Sequence, residues 1–117
     1  MNLKLFIVGY MAAIESTLDD DGPACRDWSP EALATARKHC AAFIERAGEL
    51  LNEYTYSSEC FPSAVCAGHD FWFTRNRHGA GFGDRGLGDV GDELTKIAQS
   101  FHQCGAFVYD NGQLALN

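Results

Sequence analysis

Six side chains between positions 69 and 85 carry the groups of an acid–base site: His69, Asp70, Arg75, His78, Asp84 and Arg85. An imidazole beside a carboxylate can pass a proton near neutral pH, and a guanidinium can hold an anionic group against it. For the six to meet, the chain must fold back on itself. Asp70–Thr74 (DFWFT) is aromatic and bounded by turn residues, which predicts a strand. Asn76-Arg77-His78-Gly79 then reads as a hairpin turn and Ala80–Phe82 as the returning strand. The same residues also have a plainer reading, which is the favoured one: Asp70 and Asp84 pair with Arg75 and Arg85 and fix the hairpin by cross-strand ion pairs. No G-x-S-x-G, Walker loop or H-E-x-x-H is present, and nothing local signals Cys–His nucleophilic catalysis.

The next stretch, HGAGFGDRGLGDVG at residues 78–91, holds six of the twelve glycines and matches G-x-G-x-x-G twice, at Gly81, Gly83, Gly86 and at Gly86, Gly88, Gly91. A dinucleotide site needs that fingerprint inside a parallel βαβ unit. Here a hairpin precedes it, and Asp84, Asp89, Asp92 and Glu93 face a single cation, Arg85. Those carboxylates would repel a pyrophosphate, so the glycines read as tight turns, with Asp89 or Asp92 capping a third helix. No cofactor is expected. Cysteines stand at 25, 40, 60, 66 and 104 with no C-x-x-C. Cys60, Cys66 and His69 would give three zinc ligands, but the spacing fits no zinc knuckle and a fourth ligand is not apparent. Reduced thiols are the simpler reading, with Cys40 in the core.

The more suggestive pattern is acidic. Glu45, Glu49 and Glu53 stand four apart on one predicted helix, so their carboxylates line one flank about one turn apart. Glu15, Asp19, Asp20 and Asp21 form a second group at the end of the first helix. Sixteen acids against nine Lys and Arg give a formal charge of −7. That disfavours direct binding to nucleic acid or an anionic membrane, where cations must displace counterions. It permits the opposite role, occupation of a basic surface that normally holds nucleic acid. A solvated acidic face is the plainer alternative.

The positioning elements follow from periodicity. With 46% hydrophobic and 21% charged residues over 117 positions, the chain reads as one globular domain, 1–117. The N-terminal apolar run lacks a small-x-small cleavage site and is too short to span a bilayer, so it reads as mature protein. Leu3, Phe6, Ile7, Tyr10, Met11, Ile14 and Leu18 predict a helix over about 3–17, closed by Asp19-Asp20-Asp21-Gly22-Pro23. Ser29-Pro30-Glu31 starts a second helix whose apolar stripe runs to about Tyr54. Residues 55–68 read as a loop or short helical turn, and Val90, Leu94, Ile97 and Phe101 mark a third helix over about 89–102. Ala106–Tyr109 and Leu114–Leu116 pair across Asp110-Asn111-Gly112. The order predicts an α+β fold, with helices packed on one face of a small antiparallel sheet made of two hairpins. On the first hairpin, alternation would place Phe71 and Phe73 on one face and Trp72 on the other.

Ala67-Gly68-His69-Asp70-Phe71-Trp72-Phe73-Thr74-Arg75-Asn76, then His78-Gly79-Ala80-Gly81-Phe82 and Asp84-Arg85-Gly86, resemble the AGHDFW-x-TRN-x-HG-x-GF-x-DRG signature of small proteins encoded by tailed bacteriophages. The Asp-rich turn after the first helix, the Ser-Pro-Glu-Ala-Leu helix start and the closing Asp-Asn-Gly strand are also similar, so the resemblance covers most of the chain. The sequence departs from it at Gly83, where such proteins usually carry Trp, and at Arg77, where they often carry Gly. The resemblance implies phage origin and expression in a host bacterial cytoplasm. It implies no reaction. Small acidic phage proteins often bind host machinery, some by mimicking DNA. The expectation is therefore a binding protein that inhibits a host DNA-handling enzyme such as DNA gyrase. Glu15, Asp19, Asp20, Asp21, Glu45, Glu49 and Glu53 would stand in for phosphates, with no direct nucleic-acid or membrane binding. The alternative is a small enzyme or metal-binding protein built on the 69–85 hairpin, and a homodimer is left open.

Overall fold

Phe6, Tyr10, Ala13 and Ile14 recur at three- and four-residue steps and are buried, which fixes the amphipathic helix α1 (Leu3–Ser16). A computed structural model describes residues 1–117. Asn2 caps α1 by accepting from the Leu5 N–H at 3.0 Å. After the acidic turn comes a two-residue strand, β1 (Asp27–Trp28), and then α2 (Pro30–Ala47). Ser29 caps α2 through the Ala32 N–H at 2.9 Å, and Ala32, Ala36, Cys40, Phe43 and Ala47 form its buried stripe. Cys40 is thus in the core, as its spacing predicts.

The second helix does not run unbroken to Tyr54. Gly48 has φ 50° and closes α2, and α3 (Glu49–Ser57) starts at the next residue. The break was hidden because Ala47, Leu51 and Tyr54 continue the apolar spacing across it. Residues 63–75 depart further from expectation: they form a helix, α4 (Ser63–Arg75), where a loop and a strand were predicted. Ala64, Ala67, Phe71 and Thr74 are spaced three and four apart and all are buried. The aromatic run suggests a strand, but burial of this stripe, and the packing of α4 on α1 through Val65, Gly68 and Phe71, outweighs that propensity. Phe71 and Trp72 are consequently both buried, with Phe73 at the surface edge. There is no hairpin at 76–79. The chain leaves α4 through a turn and makes one 3-10 turn, Phe82–Asp84, in place of the returning strand. Helix α5 (Asp89–Gln99) stops three residues earlier than the periodicity predicts.

The fold is α+β, with a mixed sheet. β2 (Ala106–Val108) and β3 (Gln113–Leu116) form the hairpin that Asp110-Asn111-Gly112 predicts, antiparallel with Phe107 opposite Ala115. β1 joins the other edge of β3 in parallel, with Trp28 opposite Leu114, giving the order β1-β3-β2. The sheet therefore holds one hairpin, and its third strand, Asp27–Trp28, comes from a stretch with no strand periodicity.

The core is a stack of rings contributed by four helices and the 3-10 turn. Phe43 lies 4.3 Å from Phe71 and 5.6 Å from Phe82, both nearly parallel, with Phe6 stacked at 5.9 Å. Two glycines let α1 and α4 cross this closely. A Cβ added at Gly9 would collide with the carbonyl of Val65, and one at Gly68 with the carbonyl of Phe6. Cys60 and Cys66 are joined by a disulfide, so the reduced-thiol expectation fails for these two and their sulfurs are not free to join His69 as metal ligands. Cys25, Cys40 and Cys104 are free thiols. No helix is long and apolar enough to cross a membrane.

Candidate functional site

Of the six acid–base candidates, two meet directly. Asp70 lies on α4, wholly buried, and takes Arg85 in a two-point pair: Nη2 donates to Oδ1 at 2.8 Å and Nε to Oδ2 at 3.0 Å. The Tyr54 hydroxyl on α3 donates to Oδ2 at 2.8 Å. Burial first, and then the neighbouring Asp70 charge, hold the Tyr54 phenol well above its usual range. A carboxylate closed to solvent and holding three donors works as a joint between α3, α4 and the loop after the 3-10 turn. The expected pairing of Asp70 with an arginine is therefore found, but between a helix and a loop and not across two strands.

Arg75 does not pair with an acid at all. Its side chain is buried, with Nε donating to the His102 carbonyl at 3.0 Å and Nη2 to the Phe101 carbonyl at 2.9 Å, just beyond the C-terminal end of α5. Nη1 reaches the Tyr10 hydroxyl at 3.0 Å and Nδ1 of His39 at 2.9 Å. The cation thus takes two loop carbonyls just past α5 and ties that loop to α4. The phenol of Tyr10 is pushed up by burial, partly offset by Arg75. The imidazole of His39 is pushed down by burial first and then by the Arg75 charge.

The remaining three candidates are dispersed. Asp84 accepts from the Gly81 N–H at 3.1 Å and closes the 3-10 turn, so it pairs with no arginine. Thr74 Oγ1 accepts from the Phe82 N–H at 3.0 Å, and a Cβ at Gly81 would strike that hydroxyl. His69 meets Phe73 with ring centres 4.7 Å apart and planes tilted by 40°, and burial lowers its pKa. His78 is exposed and lines a 250 Å³ cleft with Arg77, Gly83 and Asp84. Arg77 has φ 58°, a left-handed conformation uncommon for a residue with a side chain. The six do not form one site, because helix α4 sends Asp70 and Arg75 to different neighbours. No group of three His, Cys, Asp or Glu side chains converges as a metal ligand set.

The glycine stretch also serves the backbone. Gly86 and Gly88 have φ 69° and 60°, and Gly91 packs beneath the Phe82 carbonyl. Gly88 occupies the N-cap of α5 without a side-chain cap, so Asp89 and Asp92 act through the dipole of the first turn and not as the cap expected of one of them.

The acidic residues are placed differently from the expectation in one respect. Glu45 is on α2, whereas Glu49 and Glu53 are on α3, so the three do not lie on one helical line. All seven residues, Glu15, Asp19, Asp20, Asp21, Glu45, Glu49 and Glu53, are exposed. None is in an ion pair, since the two pairs present are Arg85–Asp70 and Lys96–Glu93. Phe6 meets Phe43 while Tyr10 shares Arg75 with His39, so α1 and α2 run antiparallel. The Glu15–Asp21 group is therefore near the N-terminal end of α2 and Glu45 near its C-terminal end. Helix α2 is eighteen residues, about 27 Å, long.

Comparison with protein-family models, with curated proteins and with solved structures finds no match. Tyr54 and Tyr10 read from the sequence only as members of apolar stripes, and neither they nor His39 are marked there as partners of Asp70 and Arg75. They lie 16, 65 and 36 positions from their partners, and no local motif encodes contacts of that range.

Proposed function

We propose that the protein is an acidic binding protein that occupies a basic, nucleic-acid-accommodating cleft on a host DNA-handling enzyme, DNA gyrase being the first to test. One observation carries the reading: seven exposed carboxylates at the two ends of α2 have no cationic partner within the protein. Unpaired surface carboxylates keep their full attraction for an external positive surface. The length of α2, about 27 Å, is that of about eight base-pair steps of duplex, which gives carboxylates near its two ends the span of one groove. The six acid–base candidates support an enzyme less well, because Asp70 and Arg75 are consumed in buried networks on different sides of α4.

The test is competition. Labelled duplex bound to gyrase is displaced by the protein at low ionic strength, and displacement weakens steeply as salt rises. Glu45→Lys, Glu49→Lys and Glu53→Lys together abolish displacement while leaving the fold intact by circular dichroism. Undiminished displacement by that variant, or none by the parent, ends the proposal.

A further inference from the structure

β2 lies at an outer edge of the sheet, and its free side is unpaired. Tyr109 donates to the Gln113 carbonyl at 3.0 Å, and Asn117 to the Gly105 carbonyl at 3.1 Å. With Phe107 opposite Ala115 in the same register, residues 105, 107 and 109 face β3 with their hydrogen-bonding groups. Ala106 and Val108 therefore point their N–H and C=O groups away from the sheet. All three β2 residues line a cleft of about 220 Å³ whose opposite wall is Leu18, Asp19, Gly22 and Pro23. Beside it Phe107 and Tyr109 stand 40% and 51% exposed, their rings edge to face at 5.1 Å.

An open strand edge next to an apolar cleft is a template for an added strand. Charge selects the occupant. Asp19 lines the cleft, Asp20 and Asp21 flank it, and no Lys or Arg lines it. A second copy adding through the same edge would bring two Asp19–Asp21 turns together on two chains of charge −7, which repel. We infer that the outer edge of β2 takes an extended, basic segment of a partner protein as a fourth strand, hydrogen-bonded to Ala106 and Val108 and held by Asp19–Asp21. This goes beyond the binding face proposed above. It shares Asp19–Asp21 with that face but needs neither Glu45, Glu49 and Glu53 nor a partner that handles nucleic acid.

The experiment titrates the full chain with the peptide acetyl-Lys-Val-Lys-Val-Lys-amide and follows backbone amides by NMR. Shifts are expected at residues 18–23 and 105–109, with hydrogen exchange slowed at Ala106 and Val108. The same peptide N-methylated at alternate residues, in either phase, loses the edge hydrogen bonds in one phase and binds about tenfold more weakly. The Glu-Val-Glu-Val-Glu counterpart does not bind. Val108→Pro removes an outward N–H and leaves the β3-facing groups of residues 105, 107 and 109 in place, so peptide binding is lost, whereas Val108→Ala, which trims the side chain and keeps the N–H, retains the protection of residue 108 by peptide. The Glu45, Glu49 and Glu53 charge-reversal variant keeps peptide binding, which separates failure here from failure of the proposed function. Shifts confined to other surfaces, equal binding by both N-methylated phases, or protection of Ala106 and Val108 in a concentration-dependent dimer without peptide would overturn the inference.

Discussion

Asp70 and Arg85, fifteen residues apart, meet through two parallel N–H···O contacts at 2.8 and 3.0 Å, with Asp70 sealed from solvent and Arg85 one-third open to it. The pair ties the loop after the 3-10 turn to α4, and the Tyr54 hydroxyl extends the tie to α3. Removing one partner leaves the other charge stranded. Arg85→Ala is expected to cost about 3 kcal/mol in urea unfolding, at the low end for a buried pair because water reaches the guanidinium. Tyr54→Phe, which withdraws one donor, is expected to cost about 1.5 kcal/mol. Additive losses in the double variant would show that the two contacts do not form one network.

The crossing of α1 and α4 depends on two missing side chains. At Gly9 and Gly68 the obstruction is backbone carbonyl on the opposing helix, which cannot rotate away. Gly9→Ala or Gly68→Ala must push the helices apart and unstack Tyr10 from Phe71, now 5.3 Å apart. A loss of about 3 kcal/mol is expected for either, against the gain of a few tenths to 1 kcal/mol that alanine gives a helix in open space. Thermal unfolding of the two variants checks this, with Gly79→Ala, where nothing obstructs a Cβ, as the control.

These relationships mark how far the sequence could be read. The α1 stripe, the Ser29-Pro30 start of α2 and the Asp-Asn-Gly hairpin are local signals, and each is where its residues indicate. Residues 63–75 form a helix where their aromatic run predicts a strand, because a short apolar run has the same composition in a buried helix and in a strand. Gly68, which ought to have weakened a helix, is there because α1 needs the space. The helix also decides which candidates can meet. A hairpin would have gathered His69, Asp70, Arg75 and His78, whereas a helix turns them toward different neighbours. The acidic groups were legible because exposure of unpaired carboxylates follows from composition, but the break at Gly48 that separates Glu45 from Glu49 was not.

His39 supplies an acid sensitivity. Its Nδ1 lies 2.9 Å from Arg75 Nη1 and accepts only when that nitrogen carries no proton, so the fold favours neutral imidazole. Burial and then Arg75 and Lys38 lower its pKa. The unfolded chain therefore binds more protons in the window below the ordinary value of about 6.5, and stability falls as pH drops through that window. The lowered pKa of His69 acts in the same direction. The melting temperature is expected to fall between about pH 7.5 and about pH 5. His39→Gln keeps an acceptor that cannot be protonated and is expected to flatten that fall. An unchanged slope in His39→Gln would assign the sensitivity elsewhere.

The two tryptophans should respond oppositely to loss of the indole nitrogen. Trp72 Nε1 donates to Thr17 Oγ1 at 3.2 Å and its ring meets Tyr10 edge to face, so Trp72→Phe forfeits a hydrogen bond as well as area. Trp28 Nε1 is buried without an acceptor on the protein. A buried, unpaired donor costs about 1–3 kcal/mol, so Trp28→Phe recovers part of what the smaller ring loses in packing. Trp28→Phe is expected to change unfolding free energy by less than about 1 kcal/mol, and Trp72→Phe to lower it by about 2 kcal/mol. Equal losses would mean that the indole nitrogen of Trp28 is satisfied in solution. Trp28 sits on β1 beside Leu114 of β3, so a small cost there also means that the parallel strand pairing tolerates repacking while the α1–α4 seam does not.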